Sequence, residues 1–342
     1  MYKYSRRTAN IATIIGVINW CLNFTALLLL VAIIIIGIKH RRDLRDISLV
    51  LTYNTCFAAL LTCLVSAVMT TSNLSNGFLT FNFTFCCVWG LLYDIFQCSI
   101  YHSYYLQAFY RLCRVVFYKK KSLVSYSFFI MLIIGQWSFS IIILLPPFFL
   151  KWYVRLPTDQ YCLVPYTHAM AEMYHILVLQ MIPLVFITST YIWITVFVRY
   201  LSRTPSIVLA TNQRQRNIRD LTVIKRIVIL ISILIALRFP SIIFMIYAVV
   251  VGQLYPLTFG IVGLITSVCM IFMGIMIVYI TPHLLNNLCI FFTFRHNQVN
   301  IQRVTQQQIP QNMTDPTVAG RNLEVPPKQN KSSTTRNQNT PV

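Results

Sequence analysis

The chemistry open to this chain depends on two cysteines and a few charged residues set among long apolar stretches. Cys86 lies near the start of the third of seven such stretches, and Arg111 near its end. On one helix, at ~1.5 Å per residue, these two residues would lie ~40 Å apart, one in each aqueous phase of a membrane. Cys162 follows the fourth stretch, on the same side as Cys86. The layout predicts a helix bundle with a disulfide bond at its outer opening and a basic residue that acts as a conformational switch at its inner end.

Asp94 and Arg238 are the charged residues that fall clearly inside apolar stretches. The chain holds only eight acidic residues. A charge within a membrane is unfavourable unless it is paired or hydrated, so its presence indicates a functional site. Three interpretations stay open. In the first, Asp94 is a counter-ion for a cationic ligand. In the second, which we favour, Asp94 pairs with Arg238 and a ligand competes for one of them. In the third, water and backbone carbonyls satisfy each residue separately.

Other reactive side chains form no recognisable site. Ten cysteines are scattered rather than grouped as C-x-x-C pairs, which argues against zinc. His102 and His175 are isolated, and neither H-E-x-x-H nor G-x-S-x-G occurs. We therefore expect no metal, no cofactor and no enzymatic activity. Cys86, Cys87 and Cys162 fall on the oxidising face, where a disulfide persists, and Cys86 is preferred over Cys87 as the partner of Cys162.

The elements that must position these residues are membrane spans. The chain is 57% hydrophobic and 11% charged, whereas a soluble domain carries about 25% charged residues. Continuous apolar runs favour helices over the alternating strands of a membrane barrel. We predict an all-α membrane protein, a seven-helix bundle with a short amphipathic helix after the last span. The predicted spans are residues 11–38, 47–71, 83–117, 123–149, 170–201, 217–251 and 254–281.

Basic residues between the spans predict the orientation of the chain. The first, third and fifth loops carry clusters of Lys and Arg, and the other loops are poor in them. The positive-inside rule places the three basic loops in the cytoplasm, with the N-terminus extracellular and the C-terminus cytoplasmic. The formal charge of +20 is explained by these loops, so we expect membrane lipid and not nucleic acid as a partner. We expect a multi-pass protein of the plasma membrane.

The chain divides into three parts by composition. Residues 1–10 form a short extracellular N-terminus, and residues 11–294 form the transmembrane domain with its juxtamembrane helix. Residues 295–342 are rich in Gln, Asn, Thr and Pro, which predicts a disordered cytoplasmic tail. Its hydroxyl groups are candidate phosphorylation sites, and the last four residues fit a ligand of a PDZ-domain protein. A solvated tail that no partner reads is the alternative.

Three further residues are candidates for covalent modification. Asn73 begins an Asn-Leu-Ser sequence in the second loop and is the preferred glycosylation site. Asn82 begins an Asn-Phe-Thr sequence close to the membrane surface and is the second choice. Cys289 lies on the predicted juxtamembrane helix and is either a palmitoylation site or a plain interfacial cysteine.

The order and spacing of the landmark residues resemble those of the rhodopsin-like G-protein-coupled receptors. Cys86 precedes Arg111 as that family's third-span cysteine precedes its switch arginine. Arg111 stands in Tyr-Arg-Leu, where the family usually has Asp-Arg-Tyr. The other landmarks fall in the fourth, fifth, sixth and seventh spans as in the family: Trp137, Pro183, Tyr191, Pro240 and Tyr279. The resemblance covers the whole span region.

Departures from the family pattern indicate a divergent, orphan-like member. The family's second-span Asp corresponds to Ala59, and its seventh-span Asn-Pro corresponds to Ile275-Met276. Those polar residues usually share a pocket that holds sodium and water, so this pocket is expected to be dry. The sixth-span Cys-Trp-x-Pro becomes Leu-Arg-Phe-Pro at residues 237–240, which replaces the aromatic toggle with a cation.

The resemblance implies two working regions. A ligand cavity near the outer end is expected to be lined by Tyr93, Asp94, Gln97, Tyr101, Glu172 and Arg238. At the inner face Arg111 is expected to pair with Asp220, unless Asp220 is merely a solvated loop residue. Tyr191 and Tyr279 would complete the switch.

The implied function is that of a receptor. Outward movement of the sixth helix would open a crevice for a heterotrimeric G protein in response to an extracellular small molecule or peptide. Arrestin is a further candidate partner, through the tail. A polytopic transporter and a non-signalling seven-span membrane protein are the alternatives. Few glycines and no visible internal repeat argue against the transporter.

Overall fold

Helices dominate the computed structural model. It describes residues 6–39, 46–75, 77–117, 120–156, 159–203 and 239–280, together with Ser232 and Ile235. The helices are α1 Arg6–Lys39, α2 Ile47–Leu74, α3 Phe83–Val115, α4 Tyr126–Phe149, α5 Ala169–Arg203, α6 Phe239–Val251 and α7 Thr258–Ile280. Helix α5 is α-helical at Ala169–His175 and Ile182–Arg203 and π-helical between them, at Ile176–Met181. Short 3-10 helices at Phe78–Phe81 and Lys121–Val124 precede α3 and α4.

Six of the described helices are long and apolar enough to cross a membrane, namely α1 to α5 and α7. The prediction of a helical protein with several membrane spans is therefore confirmed. Helix α6 is a shorter apolar helix within the predicted sixth span, whose earlier residues lie outside the described part except for Ser232 and Ile235. The predicted juxtamembrane helix and the tail at 295–342 also lie outside it.

Polar residues mark the starts of three helices. The side chains of Asp46, Asn82 and Ser125 accept hydrogen bonds from backbone N–H groups in the first turns of α2, α3 and α4, at 3.1, 3.2 and 3.4 Å. The first N–H groups of a helix have no partner within the helix, so a short oxygen-bearing side chain stabilises that end. These starts lie within a few residues of the predicted ones.

A polar network joins α2, α3 and α4 inside the bundle. Asn54 Nδ2 donates to Ser103 Oγ at 2.8 Å and to Gln136 Oε1 at 3.0 Å. Trp137 Nε1 donates to Asn54 Oδ1 at 2.9 Å, and Gln136 Nε2 donates to the Ser99 carbonyl at 2.9 Å. Lipid tails are as apolar as a leucine side chain, so packing and buried hydrogen bonds, rather than the hydrophobic effect, set which helices meet. The network therefore fixes the register of three helices and explains the position of Trp137.

A second polar contact joins α1 to α7. Ser267 Oγ donates to Asn19 Oδ1, and Asn23 Nδ2 donates to the same oxygen, the latter at 3.0 Å. All three side chains are buried. The sequence analysis did not anticipate this contact.

At the positions used to predict a dry sodium pocket, Ala59 is buried in the apolar core and Ile275 is half exposed.

Candidate functional site

A two-stranded hairpin follows α4 and lies against α3. Strand β1 (Val154–Arg155) pairs antiparallel with β2 (Cys162–Leu163), with Arg155 opposite Cys162. The sulfur atoms of Cys86 and Cys162 lie at disulfide-bonding distance, with their Cα atoms 5.4 Å apart. A Cβ on Gly90 would collide with the Cys162 carbonyl, so the hairpin can approach α3 this closely because residue 90 has no side chain. We call this end of the bundle the disulfide end.

A cavity of about 440 Å³ lies at the disulfide end, bounded by the hairpin and by α1, α2, α3, α5 and α7. This volume is within the range of pockets that hold small molecules. The cavity brings together four of the six predicted pocket residues, Tyr93, Asp94, Gln97 and Glu172. Tyr101 is not among its lining residues, and Arg238 lies outside the described part of the chain.

Asp94 is held at the cavity wall by groups from two other elements. The hydroxyl of Tyr153 donates a hydrogen bond to Asp94 Oδ2 at 2.8 Å. Nε2 of His175 lies 3.8 Å from the same oxygen. The side chains of Asp94 and His175 are 11% and 7% exposed, so water screens their interaction little. These two partners of Asp94 come from the residue just before the hairpin and from α5.

Tyr153 was missed by the sequence analysis. It precedes β1, is only 1% exposed, and its ring lies near Phe148 and His175, with centroid distances of 6.5 and 6.2 Å. Burial raises the pKa of the Tyr153 hydroxyl well above its usual range, and the negative charge of Asp94 raises it further. The hydroxyl therefore keeps its proton and acts as a donor. A tyrosine in a loop carries no periodicity or motif, so only the hairpin fold identifies it.

Helix α5 contributes Glu172 and His175 to the cavity from the α-helical segment that precedes its π-helical turn. His175 ends the first α-helical segment, and Pro183 follows the π turn in the second. A π turn interrupts the regular spacing of side chains, and proline cannot donate the N–H that a regular ladder requires. The hydroxyl of Tyr174 donates to the Ile143 carbonyl at 2.6 Å and so ties this part of α5 to α4. Glu172 and His175 both line the cavity.

The two predicted glycosylation sites have different surroundings. Asn82 is exposed, and its Oδ1 caps α3. Asn73 is half-buried, and its side-chain amide bonds to the hairpin. Glycosylation of either residue stays a prediction.

The opposite end of α3 carries the predicted switch arginine. The Tyr191 hydroxyl of α5 faces the guanidinium of Arg111. Tyr110, which stands where the rhodopsin-like receptors usually have an acid, is buried with its ring perpendicular to that of Phe129, at a centroid distance of 5.1 Å. Tyr279 is 52% exposed near the end of α7. Two predicted residues, Asp220 and Cys289, lie outside the described residues, so the Arg111–Asp220 bridge stays a prediction.

Comparison with known proteins bears on the fold of this chain. No family model matches the chain, and no curated protein sequence matches it. A crystal structure of squid rhodopsin superposes on it with a TM-score of 0.63, covering 83% of this chain and 83% of the rhodopsin chain at 16% sequence identity. The chain therefore has a multi-span helical fold like that of squid rhodopsin. At this identity the likeness concerns the fold alone.

Proposed function

We propose that this chain is a G-protein-coupled receptor of the plasma membrane, a divergent member of the rhodopsin-like family. It would transmit the binding of an extracellular small molecule or peptide to a heterotrimeric G protein. The observation that carries the proposal is the cavity at the disulfide end, with the buried carboxylate of Asp94 in its wall. An ionisable residue within a membrane bundle marks a ligand, ion or proton site far more often than a structural one.

Two independent features, one of the sequence and one of the structure, support the proposed orientation. The basic loops are expected to be cytoplasmic. Disulfides persist on the oxidising side of a membrane, and the pair Cys86 and Cys162 lies at the opposite end of α3 from the basic residue Arg114. Both features support an extracellular position for the disulfide end and, with it, the cavity.

Helix α3 connects the cavity to the proposed switch. Asp94 and Arg111 are 17 residues apart (111 − 94), which is ~25 Å along a helix. The network around Asn54 holds α3 against α2 and α4, so in this proposal the side of the bundle that holds the sixth helix is the one that moves. A ligand that contacts two packings of this side unequally shifts their populations, and outward movement of the sixth helix would then admit the G protein.

The chemistry of the ligand depends on what Asp94 faces. Separate satisfaction of each residue by water and backbone carbonyls stays open. Of the two interpretations that involve a ligand, the pairing of Asp94 with Arg238 remains favoured and a cationic ligand bound by Asp94 remains the alternative. Tyr153 and His175 support either one, because they hold the carboxylate in place at the wall. The proposals for arrestin, a PDZ-domain protein and palmitate on Cys289 rest on the sequence alone.

Nucleotide exchange on purified G proteins tests the proposed function. The chain is reconstituted in lipid nanodiscs with a panel of heterotrimeric G proteins and screened against amine, acid and peptide libraries. We expect at least one compound to accelerate exchange by the wild type and not by Arg111→Ala. Arg114→Ala is the matched control, since Arg114 is exposed one turn further along α3, and it should retain the response. Saturable flux of a compound into vesicles, with no exchange on any G protein, would establish a transporter instead.

A further inference from the structure

Asn73, near the C-terminal end of α2, bonds to the hairpin through both ends of its side-chain amide. Its Nδ2 donates to Asp159 Oδ1 at 3.0 Å, and its Oδ1 accepts from the backbone N–H of Gln160 at 2.9 Å. A backbone N–H can only donate, so the amide atom that faces it must be the oxygen. The adjacent Ser72 Oγ donates to the Gln160 carbonyl at 2.9 Å. Three hydrogen bonds thus join two consecutive residues of α2 to two consecutive residues of the hairpin loop.

The surroundings of Gln160 extend this contact. Gln160 Oε1 accepts a hydrogen bond from the Arg155 guanidinium at 2.7 Å. Gly77 has φ +71°, a left-handed conformation, and a Cβ there would lie 2.7 Å from the same oxygen. Glycine is therefore required at this position for two reasons, the backbone angle and the close approach. Both the loop after α2 and the hairpin are shaped around Gln160.

These residues form part of the cavity wall, since Asn73, Asp159 and Gln160 all line it. The Cys86–Cys162 pair attaches the hairpin to α3 only, and leaves its other side to be held by α2. We propose that Asn73 is a positioning residue that latches the hairpin to α2 over the cavity, and that the folded protein carries no glycan on it. The inference concerns the wall of the cavity and does not depend on coupling to a G protein.

The latch conflicts with the use of Asn73 as a glycosylation site. A glycan would replace one hydrogen of the Nδ2 that donates to Asp159, and would place a sugar where the side chain is half-buried between α2 and the hairpin. The sequence alone favours Asn73 over Asn82, because Asn73 lies further from the membrane surface. The hydrogen bonds reverse that preference.

A reversal of donor and acceptor tests the latch. Asn73→Asp removes the Nδ2 donor and sets two carboxylates against each other. Asn73→Asp combined with Asp159→Asn restores a donor and an acceptor in exchanged positions. The reporter is Thr70→Cys, a buried position of the cavity wall on α2, labelled by a membrane-impermeant thiol reagent in nanodiscs. Its labelling rate reports how often the wall opens.

We expect Asn73→Asp to accelerate labelling about tenfold, which corresponds to ~1.4 kcal/mol of lost latch stability. The double variant should return to within about twofold of the parent, because the hydrogen bond is restored. A purely structural role of Asn73 in α2 would give no such rescue. An unchanged rate in Asn73→Asp, or an unrescued double variant, would overturn the proposal.

Ser75→Ala is the matched control for the glycan. It destroys the Asn-Leu-Ser sequence and leaves the Asn73 amide intact. In mammalian cells the wild type and Ser75→Ala should show the same glycosidase-sensitive mass, and Ser75→Ala should label at the parental rate. A smaller glycosidase-sensitive mass in Ser75→Ala would show that Asn73 carries a glycan and would overturn the proposal.

Discussion

Removal of one hydroxyl should measure how strongly the hairpin holds Asp94. Tyr153→Phe keeps the aromatic ring between its neighbours and deletes only the O–H that donates to Asp94 Oδ2 at 2.8 Å. No cavity is formed, so the change isolates the hydrogen bond. If the hairpin positions the carboxylate, this variant should lose thermal stability even though its packing is unchanged.

The magnitude follows from burial and charge. A hydrogen bond to a charged acceptor contributes about 1.5–3 kcal/mol to stability, against about 0.5–1.5 kcal/mol for a neutral pair. Asp94 is nearly excluded from water, which favours the range for a charged acceptor over that for a neutral pair. A loss of about 2 kcal/mol lowers the melting temperature by roughly 4 °C, at about 2 °C per kcal/mol for a large domain.

Melting is followed with a thiol-reactive dye on protein in nanodiscs. Tyr174→Phe is the matched control, because the Tyr174 hydroxyl donates to a neutral backbone carbonyl at 2.6 Å. It should lower the melting temperature less than Tyr153→Phe does. Combining Tyr153→Phe with Asp94→Asn should cost less than the sum of the two single changes, since they remove the same charged interaction.

Two results would refute this reasoning. Equal shifts for Tyr153→Phe and Tyr174→Phe would show that Asp94 is neutral or that solvent screens it. Strictly additive shifts in the combined variant would show that Tyr153 and Asp94 do not interact.

Four other outcomes are expected. Cys162 should resist thiol labelling on intact, unreduced cells, and ready labelling would exclude its disulfide with Cys86. Asp94→Asn and Arg238→Gln should each reduce surface expression or shift basal signalling, because removing one partner of a buried ion pair destabilises the fold by about 3–5 kcal/mol. The double variant should recover part of the loss, since neither charge is then left unpaired. Additive losses would argue against the pair. Replacing sodium with a bulky organic cation should leave the melting temperature unchanged, since a hard cation needs oxygen ligands and Ala59 has none to offer; a drop specific to the loss of sodium would contradict this. Because the pKa of Tyr153 is raised, its contribution to stability is fully present below pH ~10 and is lost only as the pH rises through the pKa of the folded state. The ultraviolet difference between wild type and Tyr153→Phe should therefore show no tyrosinate at pH ~10. A tyrosinate signal at that pH would show that Tyr153 is in water.

Features governed by local chemistry could be predicted from the sequence. The spans were found because about 20 consecutive apolar residues are needed to cross hydrocarbon, and six of the seven predicted spans correspond to spanning helices in the structure. The starts of α2, α3 and α4 follow from Asp46, Asn82 and Ser125, whose capping depends only on neighbouring backbone. Asp94 was found because a carboxylate in an apolar run is conspicuous by itself.

Contacts between distant segments could not be predicted in this way. Tyr153, the partner of Asp94, lies 59 residues from it along the chain, and Asn73 bonds to residues 86 and 87 positions away. The same holds for Ser267 and Asn19, 248 residues apart. Such pairs leave no periodic or local trace, because any loop with the right length and shape could supply the donor.

The sequence by itself determined that this chain is a bundle of membrane helices, which residues are charged within it, and which cysteines could meet at one end. Each of these depends on the preference of a side chain for water or hydrocarbon, a property of the residue and its near neighbours. The tertiary structure decided which groups surround Asp94, how the hairpin is attached to α2 and α3, and that Asn73 faces protein. Hydrogen bonds require atoms within about 3 Å in a fixed direction, and only the packed helices and loops place distant residues that closely.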